Sequence, residues 1–321
     1  MFLAPLAADE HGFSVIWASK RDRCEPKQKK GTADSADYTD FFRATGRVAI
    51  FCVKKSAKSA ESAVYSGPMV APTERFSDRV DAYAKHRPSY PEALLNFLKE
   101  QVPLPATVAD IGAGTGILTE LLLETGYEVY AVEPNAPMRA SAEQQLGHQP
   151  GFHAVDGSAE AAGLPDASVD LITAAQAFHW FDRVRAKKEF RRILKTSGKV
   201  ALIWNERLDD ASEVNRRYES VLKELVAGYP TVAHHRMVQQ EDIHEFFAPN
   251  NLGLVTFRND QILDREGLIG RLLSTSYVPN TGQPGNTEIV AAIDQIFDDC
   301  RTGDLVTMAY ETRIYFGSFS V

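Results

Sequence analysis

The chain has 321 residues, 44% hydrophobic and 24% charged, with a formal net charge of −8. That is enough for one large α/β domain with appendages or for two small domains, and no apolar run approaches the ~18–20 residues that a membrane-spanning helix requires. The charge is uneven, +3 over residues 1–68 and −11 over the remainder, so the main body lacks the basic footprint of a nucleic-acid binder. Cys24, Cys52 and Cys300 are few and widely spaced, which argues against a disulfide framework or a zinc pattern and for a reducing, cytoplasmic setting. The first residues lack the basic stretch and apolar core of a secretory signal.

Residues 1–70 hold polar runs (20–32 and 54–62) and one short apolar patch, Val48–Val53. The patch is long enough for a strand and too short for a core, so this extension is expected to be disordered or loosely attached. Met69 stands just before the start of the expected domain, 71–321, and a chain starting there is expected to keep its ligand. Ser77 or Asp78 caps a short helix that Pro88 ends, and Tyr83 and Arg87, four apart, share one of its faces. Pro91 at the first helical position opens a helix through Leu94, Leu95 and Leu98.

Val108–Ile111 reads as the end of a buried strand, and Ile117, Leu118, Leu121 and Leu122 begin an apolar-periodic helix. Between them Gly112, Gly114 and Gly116 make a turn at which a ligand can approach bare backbone, in front of the unpaired N–H groups of a helix start. A dinucleotide fingerprint wants G-x-G-x-x-G. Counted from Gly112 its last glycine falls on Ile117, so what stands here is Asp-x-Gly-x-Gly-x-Gly, from Asp110 to Gly116. The next strand, Glu128–Val132, ends at Glu133, whose carboxylate can accept from two ribose hydroxyls.

With Asp110 before the turn and Glu133 after it, the chain resembles the class I S-adenosylmethionine-dependent methyltransferases, and residues 71–321 resemble the type-11 group that acts on small molecules. The resemblance implies an α/β fold: a doubly wound, mostly parallel, seven-stranded Rossmann-like sheet with one antiparallel strand. It implies S-adenosyl-L-methionine as cofactor, held at Asp110, Gly112, Gly114, Gly116 and Glu133. Tyr83 and Arg87 would close over its methionine end, Arg87 pairing with the carboxylate. Asn135 and Met138 would lie near the ribose and adenine. Ser158 stands where the family commonly has an aspartate for the adenine amino group, so the Ala159 N–H is expected to carry more of that contact. Gln176, at the end of the fourth strand, completes the cofactor set.

The third and fourth strands are Phe152–Asp156 and Val169–Ala175, and Gln176–Asp182 follows. Chain just past a strand's C-terminal end faces the reaction centre of such a sheet. Asp182 caps a helix that turns Ala186, Phe190, Ile193 and Leu194 inward and that Ser197-Gly198 ends before a fifth strand, Lys199–Trp204. Val214, Tyr218, Val221, Leu222 and Leu225 have helical spacing within an insertion, 207–250. His234, His235 and His244 lack a supporting ligand pattern, and no metal is expected. Leu254–Phe257 with Gln261–Leu263, and Leu305–Tyr310 with Ile314–Phe316, are expected as strands six and seven. The segments 267–277 and 288–300 between them are helical in pattern, and this second insertion, 265–304, is expected with the first to cover the acceptor.

A methyltransferase must hold a nucleophile in line with an activated methyl group, and aromatic faces attract the positive sulfur. Tyr83, Phe178, Trp180 and Tyr277 are the aromatic candidates. His179 is the candidate catalytic residue, because an imidazole titrates near 6.5 and its loop faces the methyl. The acceptor is expected to be a small carboxylic acid or hydroxyl compound, with no nucleic acid and no membrane as partner; the signal for oligomeric state is nil. Two other readings stay open at this point, a catalytically silent S-adenosylmethionine-binding module and an NAD-dependent oxidoreductase, the latter disfavoured by Ile117.

Overall fold

The short apolar runs form a central sheet. The computed structural model describes residues 15–17, 86–226, 229, 240–250, 252–275 and 277–319. Strands β2 (Thr107–Ile111), β3 (Glu128–Val132), β4 (Phe152–Val155), β5 (Val169–Ala175) and β6 (Leu194–Arg207) are parallel in the order β4-β3-β2-β5-β6. β10 (Tyr310–Gly317) then inserts antiparallel between β6 and β7 (Leu252–Arg258). This is the expected seven-stranded arrangement with one reversed strand. An eighth strand was not expected: β1 (Val15–Trp17), from the N-terminal extension, pairs antiparallel along the open edge of β7, where unsatisfied backbone groups invite a partner. The other readings within 1–70, Val48–Val53 and Met69 included, lie outside the described residues, as do Ser77, Asp78, Tyr83, His234 and His235.

Side chains alternate across the sheet and fill a core on each face. Ala109, Ile111, Ile172, Ala174, Val200 and Leu202 point to one side, where α4 (Arg183–Ile193) and α6 (Gln240–Phe247) supply Ala186, Phe190, Ile193, Ile243 and Phe247. Val108, Val129, Leu171, Ala201 and Ile203 point to the other, against Leu94 and Leu98 of α1 (Glu92–Gln101) and Leu118 and Leu122 of α2 (Ile117–Thr125). A third cluster belongs to the two insertions. There α5 (Glu213–Leu225), α7 (Arg265–Leu273) and α8 (Asn286–Cys300) bury Tyr218, Leu222, Leu268, Leu272, Ile293 and Phe297 together. None of the described helices is long and apolar enough to cross a membrane.

Three boundaries differ from expectation. Pro91 is the residue before α1 rather than its first. Ser197-Gly198 does not end α4: the helix stops at Ile193 and β6 begins at Leu194, with an irregularity between the Val169 and Leu171 pairings taking up the extra residues. Gln261–Leu263 and Val306–Met308 leave the main sheet as β8 and β9, a separate two-stranded ribbon beneath the third cluster. Both runs are too short to reveal by pattern which sheet they join.

Candidate functional site

The C-terminal ends of β2, β3 and β5 open onto a cleft of about 340 Å³ lined by, among others, Arg87, Gly114, Glu133, Met138, His179 and Trp204. The three glycines of the turn do different work. A Cβ on Gly112 (φ +72°) would lie 2.6 Å from the Ala177 Cβ, and one on Gly116 (φ +91°) 2.7 Å from the Leu146 Cδ1. These two let the chain just past β5 and α3 (Ala136–Leu146) pack against the turn. Beside Gly114 nothing lies closer than the Met138 Sδ, 3.9 Å away, so this glycine leaves room on the cleft side.

Glu133 follows β3 and is 7% exposed. One carboxylate oxygen accepts from the Gly114 N–H at 2.9 Å and the other from the Asn135 N–H at 2.8 Å. Each oxygen keeps a lone pair for a further donor. Burial raises its pKa above the ordinary carboxylate range, against the pull of the two N–H groups and of Arg139. Arg139 fixes the floor by donating to the Glu133 carbonyl at 2.7 Å and pairing with Asp156 at 3.2 Å. Asn135 caps α3 through the Met138 N–H at 3.0 Å, and both residues line the cleft.

Asp110 and Gly116 do not line it. Asp110 is 1% exposed beneath the turn, its two oxygens accepting from Thr119 Oγ1 at 2.7 Å and Thr173 Oγ1 at 2.8 Å. Burial, with the Glu133 charge adding to it, pushes its pKa up to about 6. The folded state therefore holds a proton that the unfolded chain releases near pH 4. Stability from this group is present below pH 4 and lost as the pH rises through 6, about 3 kcal/mol in all. Asp110→Asn is accordingly expected to stabilise the fold at pH 8 by about 2–3 kcal/mol, the gain shrinking toward zero at pH 4. Denaturant titrations of both proteins at the two pH values check this.

Past β5 the chain is held in an unusual conformation. Gln176 adopts φ +57°, a region costly for a side-chain-bearing residue. It is kept there by its N–H on the Ile203 carbonyl (2.9 Å) and its Nε2 on the Asn205 carbonyl (3.0 Å). A single 3₁₀ turn, Phe178–Trp180, follows. Phe178 is fully buried, with the Phe246, Phe181 and Trp204 rings 4.8, 5.8 and 6.2 Å from its own. This anchor turns His179 and Trp180 toward the cleft. It also removes Phe178 from the aromatic candidates, because a residue at that point of a tight turn can face only one side. Tyr277 packs instead on Tyr229, with ring centroids 5.1 Å apart, and does not line the cleft. Ser158 and Ala159 form the remaining wall. Their loop is tied to α4, the Ala162 N–H reaching Glu189 (2.8 Å) and the Asp182 N–H reaching Glu160 (2.8 Å).

Of the expected set, Arg87, Gly112, Gly114, Glu133, Asn135, Met138, Ser158, Ala159, Gln176 and His179 meet at one cleft. Glu160, Phe181, Trp204 and Asn205 were missed. Trp204 lines the wall, and Asn205 donates to the Pro88 and Ser89 carbonyls (3.3 and 3.1 Å) while its Oδ1 accepts from Thr312 and Asn259. Their place near the carboxyl end of a parallel strand was the available signal.

A family model described as a methyltransferase domain, type 11, matches residues 109–202, from β2 into β6. An uncharacterised methyltransferase of Anoxybacillus flavithermus is 30% identical over 183 residues, 56% of this chain and 75% of that protein. The chain belongs to the type-11 methyltransferase family. An uncharacterised Mycobacterium tuberculosis methyltransferase is more similar locally, 42% identical over 139 residues, which is 41% of this chain. The match spans about half of that relative, 52%. A solved Anabaena variabilis structure named as a methyltransferase covers 74% of this chain and 99% of its own, at TM-score 0.50 and 18% identity, and shares the fold. Within this chain the matched segment carries every cleft residue from Gly112 to Phe181, while Arg87 and Trp204 lie outside it.

Proposed function

We propose that this protein is an S-adenosyl-L-methionine-dependent methyltransferase acting on a small-molecule acceptor through an oxygen nucleophile, a carboxylate or a hydroxyl. The observation that carries the reading is Glu133: a buried carboxylate at the end of β3, each oxygen with capacity to spare, beside a turn kept open at Gly114. Two ribose hydroxyls suit that capacity. The same geometry argues against NAD. The Gly114 N–H, which an anionic pyrophosphate would require, is given to a carboxylate.

Asn135 and Met138 would border the ribose and adenine, with the Ser158 hydroxyl and the Ala159 N–H at the base edge. Arg87 would pair with the methionine carboxylate, and Trp180, Phe181 and Trp204 bring aromatic rings to the lining, whose faces attract positive charge. When bound, the cofactor supplies a methyl group activated on a sulfonium, which is released as a thioether as the acceptor oxygen forms its new bond to carbon. The chain's own task is to orient that oxygen and keep water away. For a hydroxyl acceptor His179 takes the proton; for a carboxylate no proton leaves, and His179 fixes the oxygen by a hydrogen bond. Cleft-side coverage is assigned to the insertions 207–250 and 265–304, and Arg87 Nη2 donates to the Ser274 carbonyl of the second at 3.1 Å.

Calorimetric titration with S-adenosylmethionine and with NAD, followed by incubation of methyl-labelled cofactor with a metabolite extract, tests the proposal. Heat with the former alone and a labelled low-mass product are expected. No heat with S-adenosylmethionine would overturn the reading, and heat without label in any product would reduce the protein to a binding module.

A further inference from the structure

The third core cluster contains a charge that its surroundings leave uncompensated. Arg271, on α7, is 8% exposed. Its Nε donates to the Tyr310 hydroxyl at 3.1 Å and its Nη1 to the Ser274 Oγ at 3.3 Å, and its guanidinium carbon lies 5.7 Å from the centre of the Tyr310 ring. Every one of these partners is neutral, and among the described residues no carboxylate pairs with it. The neighbouring Arg207 shows the contrast. It pairs with Glu219 and with Asp209 (3.0 Å), stacks over Tyr218 at 4.7 Å, and shares Glu219 with the Tyr229 hydroxyl.

A buried guanidinium facing only hydroxyls is an expensive arrangement that an apolar side chain of similar size would relieve. It becomes favourable when an anion arrives, because the desolvation cost has been met in advance and three of the five guanidinium N–H donors are not spent on Tyr310 and Ser274. Position supplies the second argument. Ser274, which accepts from Arg271, offers its carbonyl to Arg87, and Arg87 lines the cleft. Tyr310 opens β10 opposite Arg207 at the carboxyl end of β6, three residues beyond Trp204 of the cleft wall. Arg271 is therefore joined through Ser274 to a residue of the cleft and through Tyr310 to the strand that carries its wall, on the insertion assigned to cover the acceptor.

We infer that the acceptor carries a carboxylate, and that Arg271, with the hydroxyls of Tyr310 and Ser274 orienting its fork, is the residue that receives it. Arg271 is thus a specificity-determining residue for the acceptor, distinct from the groups that hold the cofactor. The inference rests on reading the cleft as the methyl-donor site, and it deepens that reading by naming the acceptor's class.

The test uses the full chain with a panel of mono-, di- and tricarboxylic acids and the matching amides, each with and without S-adenosylhomocysteine. Thermal unfolding and label transfer are both read. At least one acid is expected to raise the unfolding temperature and accept label while its amide does neither. Arg271→Gln should lose the shift and raise KM for the acid about 100-fold, with the Kd for S-adenosylmethionine within twofold of wild type. Arg271→Lys, which keeps the charge and loses the fork, should fall between them; together with Tyr310→Phe it serves if the glutamine variant does not unfold cooperatively. Amides acting as well as acids, no acid shifting the wild type, or Arg271→Gln weakening the cofactor as much as the acceptor would overturn the inference. Failure of S-adenosylmethionine to bind the wild type would instead strike the donor-site reading, and the acid-dependent shift without S-adenosylhomocysteine would still decide the role of Arg271.

Discussion

Glu133→Ala is expected to weaken S-adenosylmethionine binding by at least about 100-fold while leaving a cooperatively folded protein. Hydrogen bonds to an ionised acceptor are worth about 1.5–3 kcal/mol each, so losing two costs about 3 kcal/mol or more. The fold should tolerate the change, because burial already opposes the charged form of this carboxylate, and the Gly114 and Asn135 N–H groups beside the cleft can turn to water. Glu133→Gln keeps the shape and one acceptor oxygen and should fall in between. Calorimetry gives the affinity and thermal unfolding separates it from misfolding. Full affinity in the alanine variant would remove Glu133, and with it the ribose, from the account of the site.

His179→Ala should reduce kcat by about 100-fold or more with little change in cofactor Kd. A positioned general base contributes about 10²–10⁴-fold, and a nucleophile displaced by about 1 Å loses a comparable factor. The two roles part in the pH profile. As a base, His179 gives the wild-type kcat/KM an acidic limb that the variant lacks; as an orienting donor to a carboxylate, it leaves the shape of the profile unchanged and lowers only its height. Turnover equal to wild type would make His179 part of the scaffold. Because Phe178 anchors the turn in the core, removing the neighbouring imidazole should leave the backbone in place.

What could be read from the amino-acid order follows from how local each signal is. The glycine turn was legible because Gly112 and Gly116 occupy positive φ and stand where a Cβ would collide. Glu133 was legible because a strand's length places its last residue. Phe178 was misjudged because the 3₁₀ turn that sends it inward and its neighbours outward has no periodic signature. Asp110 was expected to hold the cofactor, but it lies buried under the turn, where one of its partners is Thr173, sixty-three residues away. Arg271 and Asn205 were invisible for the same reason. An arginine on an amphipathic helix reads as solvated until β10 is laid across it, and the partners of Asn205 come from segments far apart in the chain. β8 and β9 show the limit for strands: pattern finds the run, and tertiary packing chooses its sheet.

The bonding around Asn205 ties the stretch that bears Arg87 to the end of the sheet. Its amide nitrogen holds the Pro88 and Ser89 carbonyls, and Asn259 holds Ser89 from the other side at 2.8 Å. Its sheet partner Thr312 and the Asn259 amide bond to its oxygen instead. One side chain thus divides its work: its oxygen serves the sheet, while its nitrogen, with that of Asn259, ties down the stretch bearing Arg87 through main-chain carbonyls, and those bonds lie outside every strand pairing.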